Sequence, residues 1–125
     1  LDNLNAAGLQ QLLGTMFTPD TKAVRQATTL LKRYFKSVAA LENLLILLST
    51  SPETNIRQIS CVYTRKIITN LWMKLSAEDQ GKTKVLLLTR YIEEPVTIVK
   101  KNIADVIGQL GQLLIPNKEW NELFQ

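Results

Sequence analysis

The stretch "PETNIRQIS", Pro52 to Ser60, runs from a turn residue through polar residues to an isoleucine with an arginine directly after it. Two relatives of this phrase stand elsewhere: "PDTKAVRQA", Pro19 to Ala27, and "PVTIVKKNIA", Pro95 to Ala104. In each, a proline precedes a valine or isoleucine by four or five positions, and a basic residue follows: Arg25, Arg57 or Lys100. The prolines are 33 and 43 residues apart, and a second marker, "WMKL" from Trp72 and "WNEL" from Trp120, recurs after 48. Self-similarity on this scale marks an array of stacked supersecondary units, because one helix pair cannot bury both of its faces alone.

The hydrophobic period around these phrases is helical. Leu9, Leu12, Leu13 and Met16 mark a first helix. Thr18-Pro19-Asp20 and Ser51-Pro52-Glu53 each read as N-cap, N1 proline and first-turn acid, and Pro95 opens a further helix. Val24, Ala27, Leu31 and Tyr34 form one stripe; Leu41, Leu44, Leu45 and Leu48 form the next, behind a Ser37 cap. Ile56, Ile59, Tyr63, Ile67 and Leu71 follow. Ser76 to Asp79 is a relative of the capping box, with Leu87, Leu88, Tyr91 and Ile92 beyond it. Val99, Ile103, Val106, Ile107, Leu110 and Leu114 make a long stripe, and a last helix is expected in "KEWNELFQ".

The expected fold is therefore all-α: an α-solenoid of about three stacked antiparallel HEAT-type helix pairs wound as a right-handed superhelix. The expected division is a capping helix over 1–17, a first repeat over 18–50, a second over 51–94 and a truncated third over 95–125, together a piece of a longer chain. In this frame each proline phrase starts the first helix of a pair. Its valine or isoleucine packs inward and its basic residue runs along the seam between repeats. Arg25, Arg57 and Lys100 are assigned that structural role, and Trp72 and Trp120 are read as apolar anchors at the inter-helix turn. HEAT arrays carry an acid close before the Val-Arg pair; here Asp20 and Glu53 lie further upstream and Thr97 takes the third place, so the acid–base ladder is expected to be interrupted.

Composition narrows the chemistry. The chain has 125 residues, 46% of them hydrophobic, enough for one modest core. It has no histidine, which removes imidazole acid–base chemistry and His-ligated metal sites. The single cysteine, Cys61, excludes an intrachain disulfide and reads as a small buried hydrophobe. The acid pairs Glu78/Asp79 and Glu93/Glu94 fall at helix ends and read as solvated. The glycines are scattered, so there is no phosphate loop. No catalytic residue, cofactor or metal is expected, and the chain is read as a non-enzyme. Net charge is +4, with dense spots at Lys32-Arg33, Arg65-Lys66 and Lys100-Lys101. These read as a solvated face or as a surface for an acidic partner, without interleaved aromatics for base stacking. The charge-free run around "NLLILLSTSP" (Asn43 to Pro52) is too short to cross a bilayer.

The segment from Val24 to Gln80, above all "IRQISCVYTRKIITNLWMKL" (Ile56 to Leu75), with "EEP" at Glu93 to Pro95, resembles the importin-β (karyopherin-β) family of nuclear transport receptors, near their amino-terminal end. The continuation "VKKNIADVIGQLG" (Val99 to Gly111) and "WNEL" (Trp120 to Leu123) is most similar to the importin-4 branch. The resemblance implies shuttling between cytoplasm and nucleus, with passage at the pores of the nuclear envelope. It implies binding of the small GTPase Ran in its GTP form, basic protein cargo such as ribosomal proteins or histones, and nucleoporin contacts through other parts of a longer chain. No membrane and no small-molecule substrate is implied. The alternatives are a HEAT scaffold without a transport role and a HEAT-like nucleic-acid binder.

The partner-facing surface is expected on the helices that follow the phrase helices. There, helical spacing strands Ile46 beside Glu42 and Asn43, and Leu86 among Lys82, Arg90 and Glu93. One apolar residue ringed by charge on each of two neighbouring helices is the pattern of an anchor and its rim. The apolar residues Trp120, Leu123 and Phe124 at the carboxy end are expected to form a face that further chain would cover.

Overall fold

In the computed structural model, which describes residues 4–115, α4 (Thr54–Leu71) is the helix around which the others are arranged. Its sequence dictates this. Ile56, Ile67, Ile68 and Leu71 are apolar on more than one side of the cylinder, and the small residues Ser60, Cys61 and Thr64 between them let neighbouring backbones come close. All seven are buried. α3 (Val38–Thr50) packs along one side of α4 and α6 (Thr97–Leu114) along the other. α5 (Ala77–Glu93) packs on α6, and α1 (Ala6–Thr15) packs on α3 and on α2 (Thr21–Tyr34). A single 3-10 turn, Trp72–Lys74, links α4 to α5. The described residues contain six α-helices and no strand, and the fold is the all-α array of HEAT-type helices expected.

The helix pairing differs from the expectation. The helices that lie against their chain neighbours are α1 with α2, α3 with α4 and α5 with α6; α2 with α3 and α4 with α5 touch little. The proline phrases therefore stand at the start of the second helix of each closely packed pair, not the first. α4 and α6 pack tightly in one layer, which α2 meets through the Phe35–Tyr63 contact at its end, and the odd-numbered helices form the other. The reason lies in the apolar stripes. α3 buries Leu41, Leu44, Leu45, Leu47 and Leu48 over a wide arc, and α4 is the neighbour with matching apolar breadth.

The helix starts also shift. Each proline stands one residue before the cap, not after it: Asp20, Glu53 and Val96 are the N-caps of α2, α4 and α6. The Asp20 carboxylate accepts the backbone N–H of both Lys22 and Ala23, at 3.1 and 3.2 Å, which a Thr18 cap could not do from two residues further back. Ser37 and Ser76 cap α3 and α5 as the sequence predicts, accepting from the N–H of Ala40 and Asp79.

The three basic residues of the repeated phrase are placed in three ways. Arg57 Nε and Nη2 donate to the two carboxylate oxygens of Glu94 at 2.9 and 3.2 Å, and Nη1 donates to the Ser51 carbonyl at 3.0 Å. Lys100 Nζ lies 5.0 Å above the centre of the Tyr91 ring. Arg25 is exposed on α2. The residue just before each following proline explains the divergence. It is Glu94 where Arg57 reaches, but Ser51 in the corresponding place for Arg25, and Ser51 is occupied by Gln10, whose Oε1 accepts its hydroxyl at 3.0 Å. Glu94 is thus a correction to the reading of the Glu93/Glu94 pair as solvated: its side chain is 5% exposed. Trp72 is buried at the end of α4, with its carbonyl accepting from Gln80 Nε2 at 2.9 Å. Trp120, the helix expected in "KEWNELFQ" and the apolar face expected at Leu123 and Phe124 lie outside the described residues.

Candidate functional site

Two odd-layer helices, α3 and α5, diverge enough to leave a groove of about 550 Å³ between them. The residues that open it follow from register. On α3, Leu45 turns toward the core while Ile46, one position on, points away from it and is 47% exposed. On α5, Leu87 is buried, and Leu86 beside it is only partly covered. Consecutive residues on a helix lie about 100° apart, so each buried leucine places its neighbour on the groove side. Ile46 and Leu86, far apart in sequence, line the same groove. Leu45 and Leu75 complete its apolar floor, and Glu42, Asp79 and Lys82 edge it. Lys82 also holds an exposed ion pair with Glu78 at 3.0 Å. An exposed pair of this kind contributes little to stability and leaves the charges available.

The structure divides the candidate partner-facing residues into two groups. Glu42, Ile46, Lys82 and Leu86 line the groove. Arg90 and Glu93 lie at the far end of α5, where they pair with each other next to the buried Arg57–Glu94 pair. Asn43 is turned into the fold. Its amide nitrogen donates to the Leu4 carbonyl at 3.0 Å and the Tyr34 hydroxyl at 2.6 Å, so it ties α3 to the start of α1 and the end of α2. Burial pushes the Tyr34 hydroxyl pKa up, with the bond to Asn43 acting against it. Helical spacing put Asn43 on the outer face because it stands four after Ala39 and three before Ile46. The signal that would have placed it inward is its position three after Ala40 and four before Leu47, both buried, at the boundary of the apolar arc.

Glu94 carries the most informative charge. Burial raises its pKa, but the hydrogen bond from Arg57, the Val96 N–H at 3.0 Å and the charges of Arg57 and Arg90 outweigh burial and leave it below the ordinary 4.5. It is ionised and committed to the fold. Cys61, buried between α4 and its neighbours, has its pKa pushed up to about 12 by burial and by the nearby Glu94 charge, which suits packing and not nucleophilic chemistry. Among the described residues no cluster of acidic, cysteine or histidine side chains could hold a metal ion, and no helix is long and apolar enough to cross a membrane. What the groove offers is shape, an apolar floor and a charged rim.

The chain is thus an all-helical array of HEAT-type units with an open, apolar-floored groove between two of its helices. Comparison with known sequences specifies the class. Importin-4 of Mus musculus is 36% identical over 103 residues, and Importin-4 of Homo sapiens 35% over 103; each match covers 82% of this chain and 10% of the relative. The Probable importin subunit beta-4 of Schizosaccharomyces pombe is 32% identical over 116 residues, covering 92% of this chain and 11% of the relative. By these similarities the chain belongs with the importin-β family, on its importin-4 branch. It spans about a tenth of the length of the curated relatives it matches. No family model matches the sequence, and no solved structure matches it.

Proposed function

We propose that this chain is part of a nuclear transport receptor and that it works by docking protein partners, the GTP form of Ran first among them, in the groove between α3 and α5. The observation that carries the reading is the convergence of Ile46 and Leu86, from two helices, on one groove edged by Glu42, Asp79 and Lys82. An apolar centre excludes water and supplies affinity, while the mixed-sign rim selects the partner and sets its orientation. Similarity to importin-4 proteins supports the transport role; this chain then shuttles between cytoplasm and nucleus within a longer receptor. Basic cargo such as ribosomal proteins or histones, and nucleoporin contacts, belong in this reading to other parts of that receptor, because this segment is itself basic. The helix pairs frame the groove over residues 38–93.

The test is capture of Ran loaded with GTP against Ran loaded with GDP, using the chain and its Ile46→Asp and Leu86→Asp variants. Selective capture of the GTP form, lost in both variants while their thermal melts stay cooperative, is the expected result. Equal capture of both nucleotide forms refutes the Ran reading. Capture that survives both substitutions but fails on charge reversal of the even-numbered layer refutes the groove.

A further inference from the structure

Charge in this chain is sorted by layer. The even-numbered helices α2, α4 and α6 carry nine basic residues and one acid, Asp105, whereas α3 and α5 carry three basic residues and four acids. The remaining described acids, Asp20, Glu53 and Glu94, sit in the linkers just before or at the starts of α2, α4 and α6, and Glu94 is consumed by Arg57. No ion pair among the described residues involves Lys32, Lys36, Arg65 or Lys66, and all four are exposed. The Phe35 and Tyr63 rings, 4.7 Å apart, bring the end of α2 against the middle of α4, and Lys66 Nζ lies 5.4 Å over the Tyr63 ring. Lys66 on α4 and Lys36, which follows Phe35 just past the end of α2, are thereby brought to one seam.

Beside this seam lies an apolar hollow of about 230 Å³. Phe17 and Val62, 50% and 40% exposed, line it with Ile59 and the polar side chains of Asn55 and Gln58. Ile59, Val62 and Arg65–Lys66 follow at helical spacing on α4, so the hollow and the charges are separated by about one turn, roughly 5.4 Å. Like charges held near one another without a carboxylate partner are unfavourable in the free protein and become favourable when an anion docks.

We propose that this face of the even-numbered layer binds an acidic protein segment that carries an apolar side chain. The segment's apolar residue fills the hollow of Phe17, Ile59 and Val62, and its carboxylates meet Lys36, Arg65 and Lys66. The chemistry favours a peptide over a nucleic acid. A sugar-phosphate backbone has nothing to place in an apolar hollow, and the exposed aromatic beside it, Phe17, is a single ring and not a platform for successive bases. This surface is separate from the α3–α5 groove and does not depend on the GTPase reading.

Fluorescence anisotropy of the chain tests it, with a labelled Glu-rich peptide containing one leucine, the same peptide with serine for leucine, and duplex and single-stranded DNA of matched charge. The leucine peptide is expected to bind, to weaken as salt is raised, and to bind about tenfold more tightly than the serine peptide. The double variant Arg65→Glu, Lys66→Glu and, separately, Val62→Asp are each expected to weaken it about tenfold or more. Lys36→Glu, a change at an exposed residue outside the helices, provides a variant whose folding is not at stake, and it too is expected to weaken the leucine peptide. Equal binding of the two peptides, tighter binding of either DNA, or no peptide binding at all overturns the proposal. Peptide binding is also measured on Ile46→Asp and Leu86→Asp, where it is expected to be retained whatever happens to Ran-GTP capture; its loss in variants that still melt cooperatively overturns the proposal.

Discussion

Replacing Arg57 by alanine tests the packing logic at its most exacting point. Arg57 and Glu94 are 14% and 5% exposed, and the guanidinium makes three hydrogen bonds, two to Glu94 and one to the Ser51 carbonyl. Alanine leaves the Glu94 carboxylate buried with only the Val96 N–H as a partner. Breaking a buried pair from one side costs about 3–5 kcal/mol, since the orphaned charge stays desolvated. Arg90 lies close enough to act on Glu94 and offsets part of this, so about 3 kcal/mol is expected. Against a total stability of roughly 5–15 kcal/mol for a domain, the urea midpoint should fall sharply with an unchanged slope. Glu94→Ala alone strands Arg57 in the same way, and the double variant should lose less than the two singles added together. The pair also fixes a pH dependence. The folded Glu94 pKa lies below the unfolded value near 4.5, so its stabilisation is complete above that value and is lost as pH falls through the folded pKa. Loss of stability from neutral pH down to 4 should therefore be smaller than the loss below it, and Glu94→Gln should flatten the acid limb. Additive single-variant losses, or a midpoint for Arg57→Ala within error of the parent, would refute the buried-pair account.

Asn43→Leu should destabilise by about 1–3 kcal/mol, because it leaves the Leu4 carbonyl and Tyr34 hydroxyl without their donor; a variant as stable as the parent in urea would return Asn43 to the solvent face. Cys61 should resist a thiol reagent such as dithionitrobenzoate at pH 8 in the native chain and react at once in denaturant, given a pKa near 12 and full burial; rapid native labelling would show that α4 is open to solvent.

The local layer of this structure was legible in the sequence. Stripes at a period of 3.6 fixed where helices run, and the sequence marks the Ser37 and Ser76 caps, whereas at the Pro19 and Pro52 starts the cap falls on the acid after the proline and not on Thr18 or Ser51. Ile46 and Leu86 could be singled out because a stranded apolar residue is a feature of one helix at a time. That they share a groove, that α3 pairs with α4 and not with α2, and that Asn43 turns inward were decided by tertiary packing. Periodicity states which face of a helix is apolar, but not which other helix will cover it. α3 and α4 are apolar over wide arcs, so either chain neighbour satisfied the pattern. Glu94 is the sharpest case. Nothing local separates it from Glu93, yet one is exposed and the other is buried, because only one of them meets the arginine delivered by a helix 37 residues earlier. The burial of a charge is set by the partner that compensates it, and that partner arrives only with the fold.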